Sequence, residues 1–195
     1  MNKISKSETD KLKLYASNLD NLAKHMSTDV FSNKDHQHAA IAISKILKYS
    51  KKSFVLFDDD LKGDIVNNNA IVSFQESLVE FISRGGNVKV VISDRDDKVD
   101  NAQLRFFLEV LVDIFPNQME LKIASKAFKE SMKKIFSEKI NFAIGDNNKY
   151  RLEKFGESTS EEKTREASVS FNSEKYVSKI LTIFKSNYNS CYNYF

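Results

Sequence analysis

Three groups of residues have the types and spacing to do chemistry. The first is acidic. Asp58-Asp59-Asp60 follows the apolar run Phe54–Phe57, and Asp94, Asp96 and Asp97 follow Val88–Ile92. Carboxylates at neighbouring strand ends can converge on a divalent cation such as Mg²⁺. The competing reading is ordinary: Asp is common after strands, where it caps helices and closes turns. The second group is basic. Lys122, Lys126, Lys129, Lys133, Lys134 and Lys139 form a run that can follow a phosphate backbone. Glu130 and Glu138 interrupt it and no arginine is interleaved, which favours a solvated helix face. The third is His36-Gln37-His38. Residues two apart on a helix point away from each other, and no cysteine or third histidine is near, so these read as surface histidines. His25 reads as a boundary residue of the first helix. Cys191 has no histidine or base beside it to lower its pKa and is not read as reactive.

These groups sit in a chain of 195 residues with 41% hydrophobic content and a formal net charge of +3. That supports one domain-sized core and excludes global disorder. No apolar stretch reaches the length of a membrane span. Met1–Lys13 is charged and lacks an apolar core, so no secretory leader is read there. A single cysteine makes no internal disulfide, which points to a reducing, cytoplasmic setting. Charge is uneven: residues 1–52 carry ten lysines against five acids, 53–100 five basic against ten acidic residues, and 101–195 fifteen against twelve. The balance is too small to declare nucleic-acid binding.

The elements that must position these residues follow from periodicity. Leu12, Tyr15, Leu19, Leu22 and Met26 line one face of a helix over about Glu8–Met26. Thr28–Lys34 is a polar break, and Asp35 is a candidate N-cap for a second helix to Tyr49. Ser53–Phe57 is a continuous apolar run, as expected of a strand buried on both faces. Ala70–Ser83 is helical, Arg84-Gly85-Gly86-Asn87 stops it, and Val88–Ile92 is the next strand. Ala102–Phe115 is a helix stopped by Pro116. Met119–Ala124 is a strand, Lys126–Lys139 a weak basic helix, and Ile140–Ile144 a strand. Tyr150–Phe155 pairs back as a hairpin, Gly156–Arg165 is a loop, Glu166–Phe171 is a strand, and Ser173 caps a last helix to Tyr188. Strand and helix alternation predicts an α/β fold with a mostly parallel sheet. The expected organisation is a helical pair over 1–52 packed on the rest, an α/β domain over 53–190, and an aromatic tail over 191–195.

The order of elements from Phe54 to Tyr188 resembles one half of the phospholipase D-like fold, about two-thirds of the chain. The resemblance is carried by Phe81-Ile-Ser-Arg-Gly-Gly-Asn-Val-Lys-Val-Val-Ile92, by Glu166 opening the strand that ends in Phe171-Asn172, and by the helix closing in Phe184-Lys-Ser-Asn-Tyr188. That family's motif is His, one residue, Lys, four residues, Asp. The His is the nucleophile toward a phosphodiester, and the Lys holds phosphate oxygens. Aligned on Asp146, the sequence has Lys139 for the His and Asn141 for the Lys, and Glu153-Lys-Phe-Gly156 stands where Gly-Ser-x-Asn usually follows. A protonated Lys139 is no ready nucleophile and Asn141 brings no charge to a phosphate. The resemblance therefore implies a degenerate site at Lys139, Asn141 and Asp146. One-motif members work as dimers, so a homodimer or a subunit of a larger assembly is expected. The family includes nucleases and bacterial defence proteins, which makes a nucleic-acid-linked role the associated expectation.

A second resemblance competes. Val55-Leu-Phe-Asp58-Asp-Asp60 is similar to the strand and Asp-x-Asp of haloacid dehalogenase-like phosphatases. There Asp58 would be nucleophile and Asp60 acid/base, with Mg²⁺ as cofactor held by Asp58, Asp60 and Asp146. No acid follows Asp146 in the next four residues, and Lys62-Gly63 replace the usual Thr. The sequence thus favours a non-catalytic binding or assembly protein without cofactor. The alternatives are an Mg²⁺-dependent phosphohydrolase, or a nucleic-acid-binding module using Lys126, Lys129, Lys133 and Lys134.

Overall fold

The computed structural model describes residues 6–33, 36–58, 68–92, 102–136, 139–155 and 165–194. Asp35, Asp59, Asp60, Asp94, Asp96, Asp97 and the 156–164 loop, singled out above, lie outside them.

In chain order the elements are α1 (Lys6–Lys24), β1 (Phe31–Asn33), α2 (His36–Tyr49), β2 (Ser53–Asp58), α3 (Asn68–Ser83), β3 (Asn87–Ile92), α4 (Ala102–Ile114), β4 (Met119–Ile123), α5 (Lys126–Phe136), β5 (Lys139–Gly145), β6 (Lys149–Phe155), β7 (Arg165–Ser170), α6 (Glu174–Tyr188) and β8 (Tyr192–Asn193). All eight strands join one sheet in the order β1-β7-β6-β5-β2-β3-β4-β8. Pairing is parallel in the β2–β3–β4 centre, with Leu56 beside Val90 and Val90 beside Leu121, and antiparallel in the five outer pairs. The α/β architecture is the expected one, in a mixed form. The parallel triplet is where helices α3 and α4 make the crossovers. The short turn at 146–148 leaves no room for a crossover, so β5 and β6 pair antiparallel.

Strands β2 and β3 are buried on both faces, which is why they show little alternation, whereas β4 alternates and leaves Glu120 exposed. Phe54 and Leu56 face one layer, formed by α1 to α4 through residues such as Leu19, Ile46, Leu78 and Leu108. Val55 and Phe57 face the other, formed by α5 and α6 through Phe128, Ile180 and Phe184. The phenylalanines stack edge-on there: Phe57 on Phe128 at 5.1 Å and Phe128 on Phe184 at 5.8 Å.

Three details differ from the sequence reading. The polar break at 28–34 contains strand β1, whose Phe31 pairs with Val169. Three residues are too few to show a period, and their partner is more than a hundred residues away. The tail is part of the sheet: β8 pairs with β4, and Cys191 and Tyr194 are buried. Ser173 stands at the N-cap of α6, but its side chain makes no cap bond. Among the described residues no helix is long and apolar enough to cross a membrane.

Candidate functional site

The residues aligned with the family motif fall at two opposite ends of β5. Asn141 is buried near the start of that strand, on the face that carries Ala143 and packs toward α2. Its register partner on β6 is Glu153. Phe57 of β2 pairs with Phe142, so the next residue, Asp58, comes beside Asn141. Asp58, Asn141 and Glu153, at 7%, 5% and 3% exposure, thus form a polar row across three strands. Arg151, also buried, lies on the same face two residues from Glu153, and Nη1 donates to its Oε2 at 3.5 Å. All four side chains are engaged. The row holds two carboxylates against one guanidinium, which is already paired with Glu153. The side chain of Lys139 is not among those described.

Asp146 sits at the far end of β5, in the turn to β6, with φ +52°. Its carboxylate accepts the backbone N–H groups of Lys51 at 3.0 Å, Lys52 at 2.9 Å and Ser53 at 3.2 Å, and Lys149 Nζ donates to it at 3.2 Å. Its own N–H donates to the Ser53 carbonyl at 2.8 Å. Burial alone would raise its pKa; the N–H groups of Lys52, Lys51 and Ser53 and the Lys149 ammonium outweigh that and hold it below the ordinary carboxylate value. Asp146 therefore ties the β5–β6 turn to the entry of β2.

This position bears on the dehalogenase-like reading. Asp146 binds the first residue of β2 and Asp58 is the last. Five residues of strand, about 16 Å, separate the two ends. A metal ion needs its oxygen ligands within about 2.6 Å, so one ion cannot be held by Asp58 and Asp146 together. Among the described residues no group of three His, Cys, Asp or Glu is placed to hold a metal. Asp60 lies outside them.

The other candidates are placed plainly. On α5, Phe128 and Met132 point inward, while Lys126, Lys133 and Lys134 are exposed and Lys129 is half-buried. Lys126 pairs with Glu130 at 3.8 Å. The run is a convex, solvated helix face. His38 packs edge-on against Tyr15 at 4.3 Å, and His25 Nδ1 lies 2.8 Å from the Asn21 carbonyl. Cys191 is buried, and burial pushes its thiol up against the opposing effects of the Ser125 N–H and Lys122. Tyr188 donates to Glu120 at 2.9 Å beneath the ammonium groups of Lys89 and Lys122, 4.4 and 4.3 Å from its ring centre.

Sequence reasoning did not single out Arg151 and Glu153 as site residues: it read Tyr150–Phe155 only as a hairpin strand. The one available signal was their opposite charge at a spacing of two, which places them on one side of a strand.

No protein-family model matches the sequence, and no curated protein matches it. The fold is similar to that of TrmBL2, an archaeal chromatin protein with a novel mode of DNA binding, at TM-score 0.59 and 12% identity over 95% of this chain and 63% of that one. The chain thus spans less than two-thirds of that protein. It is also similar to Nuc, a phospholipase D family member from Salmonella typhimurium, at TM-score 0.51 and 17% identity over 86% and 97% of the two chains. Phosphatidylserine synthase from Haemophilus influenzae gives TM-score 0.51 and 8% identity over 80% and 37%. At these identities the likeness is one of fold, and that fold is phospholipase D-like.

Proposed function

We propose that this chain is a non-catalytic phospholipase D-like protein that acts as a binding or assembly subunit in a nucleic-acid-linked system. One observation carries the reading: the position of the family's phosphate-holding Lys is Asn141, buried between Asp58 and Glu153. An amide there supplies no charge to a phosphodiester, and the flanking carboxylates oppose one. Lys139 stands at the position of the nucleophile, and a lysine at its ordinary pKa carries no lone pair for attack at neutral pH. The nucleic-acid link is supported by the fold shared with Nuc and with the DNA-binding TrmBL2. Assembly as a homodimer or within a complex is supported by α4, which turns Phe106 and Ile114 outward.

The test is hydrolysis of generic phosphomonoester and phosphodiester substrates, with Mg²⁺ and with EDTA, by wild type and by Asp58→Asn and Lys139→Ala variants. The expected result is no turnover above buffer. EDTA-resistant diesterase activity lost in Lys139→Ala would refute the non-catalytic reading. Mg²⁺-dependent phosphatase activity lost in Asp58→Asn would replace it with the phosphohydrolase.

A further inference from the structure

The end of the sheet opposite the polar row carries a concave, lysine-rich surface. A cleft of about 550 Å³ opens between the end of α1, the α2–β2 loop and the β5–β6 turn. Lys24, Lys51, Lys52 and Lys149 line it, against Asp146 and Glu174. A second cleft of about 300 Å³ adjoins it, sharing Asn147, and adds Lys89 and Lys185. Both volumes fall in or near the ordinary range for small-ligand sites. Six lysines and two carboxylates line the pair; of these, Lys149 is buried and paired with Asp146, and Lys89 pairs with Glu120 at 2.9 Å. One of those carboxylates, Asp146, is already committed to three backbone N–H groups and Lys149. Lys24, Lys51, Lys52 and Lys185 remain exposed along the clefts.

The helix ends around the first cleft reinforce the sign. α1 and α2 end there, and a helix C-terminus would repel an anion. Both are closed. The Leu22 and Ala23 carbonyls accept the N–H groups of Ser27 and Met26, Met26 turning at φ +51°. Arg84 donates to the Leu47 and Lys48 carbonyls at 3.1 and 3.4 Å. The start of α6 also borders the cleft, at Glu174, where Ser173 provides no side-chain cap. An uncapped helix start beside lysines is suited to phosphate oxygens.

We infer that this lysine-lined pair of clefts, and not the vestigial row or α5, binds a phosphate backbone, specifically that of a single nucleic-acid strand. A concave track with amides at Asn147, Asn148 and Asn87 beside the cations fits a chain of phosphates with sugar and base edges; a bilayer presents a flat face. The inference deepens the proposed nucleic-acid link and does not require that the chain be catalytically inert.

The test is fluorescence anisotropy with a labelled single-stranded oligonucleotide over a salt series. Lys51→Glu/Lys52→Glu should weaken binding at least tenfold, and by more than Lys133→Glu/Lys134→Glu on α5. The neutral pair Lys51→Gln/Lys52→Gln, which places no new carboxylate beside Asp146, should lower the slope of log K against log salt by about 1.4, from about 0.7 per lost single-strand contact. An equal or larger loss in the α5 variant, an unchanged slope in the Gln pair, tighter binding of a duplex, or binding only to phosphatidylserine vesicles would each overturn it. The recovered oligonucleotide is run on a denaturing gel, so that cleavage, which bears on the non-catalytic reading, is scored apart from affinity, which bears on the clefts.

Discussion

The carboxylate of Asp146 accepts the backbone N–H of Lys52 at 2.9 Å, joining a turn late in the chain to the entry of the first central strand. Asp146, the residue that matches the motif by spacing, is thus a structural clamp, placed about a strand length from Asn141.

Replacing Asp146 should destabilise the fold. Asp146→Ala removes acceptors for three N–H groups and puts Ala at φ +52°, for a loss of about 2–3 kcal/mol. Asp146→Asn keeps one acceptor and tolerates that φ, and should lose about half as much. Urea midpoints at constant m measure both. The folded pKa lies below the ordinary 3.8, so the charged form is favoured by folding. The stabilisation is complete above the ordinary value and is lost as pH falls through the folded one. A wild type-to-Ala gap as large well below pH 3.8 as at neutrality would refute the clamp.

Two glycines should fail for different reasons. A Cβ on Gly145 would collide with Ser50 Oγ and lie 2.6 Å from Ile46 Cγ2, because α2 packs directly on β5 there. Gly145→Ala should cost about 2–3 kcal/mol through overpacking. Gly85 has open space around it but φ +88°, and Gly85→Ala should cost about 1 kcal/mol from backbone strain alone. Thermal midpoints of the two variants should keep that order; the reverse order would mean that α2 yields.

Asp20 holds α1 on α2 by accepting Lys45 Nζ at 2.6 Å and the Tyr49 hydroxyl at 2.9 Å. Burial, the Asp20 bond and the Asp20 charge together push the Tyr49 phenol up to about 12. Folding therefore favours the protonated phenol. The stabilisation is complete below the ordinary 10.0 and is lost as pH rises from there through about 12. Tyrosinate absorbance should show one late-titrating phenol missing in Tyr49→Phe and shifted down in Asp20→Asn. An unchanged titration in Asp20→Asn would sever the link.

The parallel centre was legible because β2 and β3 are buried on both faces and write that burial as apolar runs, Phe54–Phe57 unbroken and Val88–Ile92 interrupted only by Lys89. What was not legible is what pairing over long distance decides. β1 and β8 are too short to carry a period, and their partners β7 and β4 are named only by the folded chain. The site reading was limited in the same way. Spacing aligned Lys139, Asn141 and Asp146 as one motif, but a strand of seven residues places its two ends far apart, and only register reveals Glu153 and Asp58 beside Asn141. Lys24, Lys51 and Lys89 are scattered in sequence and meet only at one sheet edge.

The polar row itself can be tested by whether its charges belong together. Arg151 and Glu153 are both buried, so removing one leaves the other charge in a poor solvent for it. Arg151→Met or Glu153→Leu alone should cost about 3–4 kcal/mol, the usual penalty for orphaning a buried ion. The double variant replaces both by apolar side chains and should cost about 1 kcal/mol or less, giving a coupling of several kcal/mol in a double-mutant cycle. Chemical denaturation of the four proteins supplies the cycle. Additive losses would mean that each residue is held by other neighbours, and that the two charges face something other than each other. Strong coupling would mean that Arg151 is spoken for, leaving Asn141 between carboxylates with no guanidinium to offer a phosphate, which is the chemical core of the non-catalytic reading.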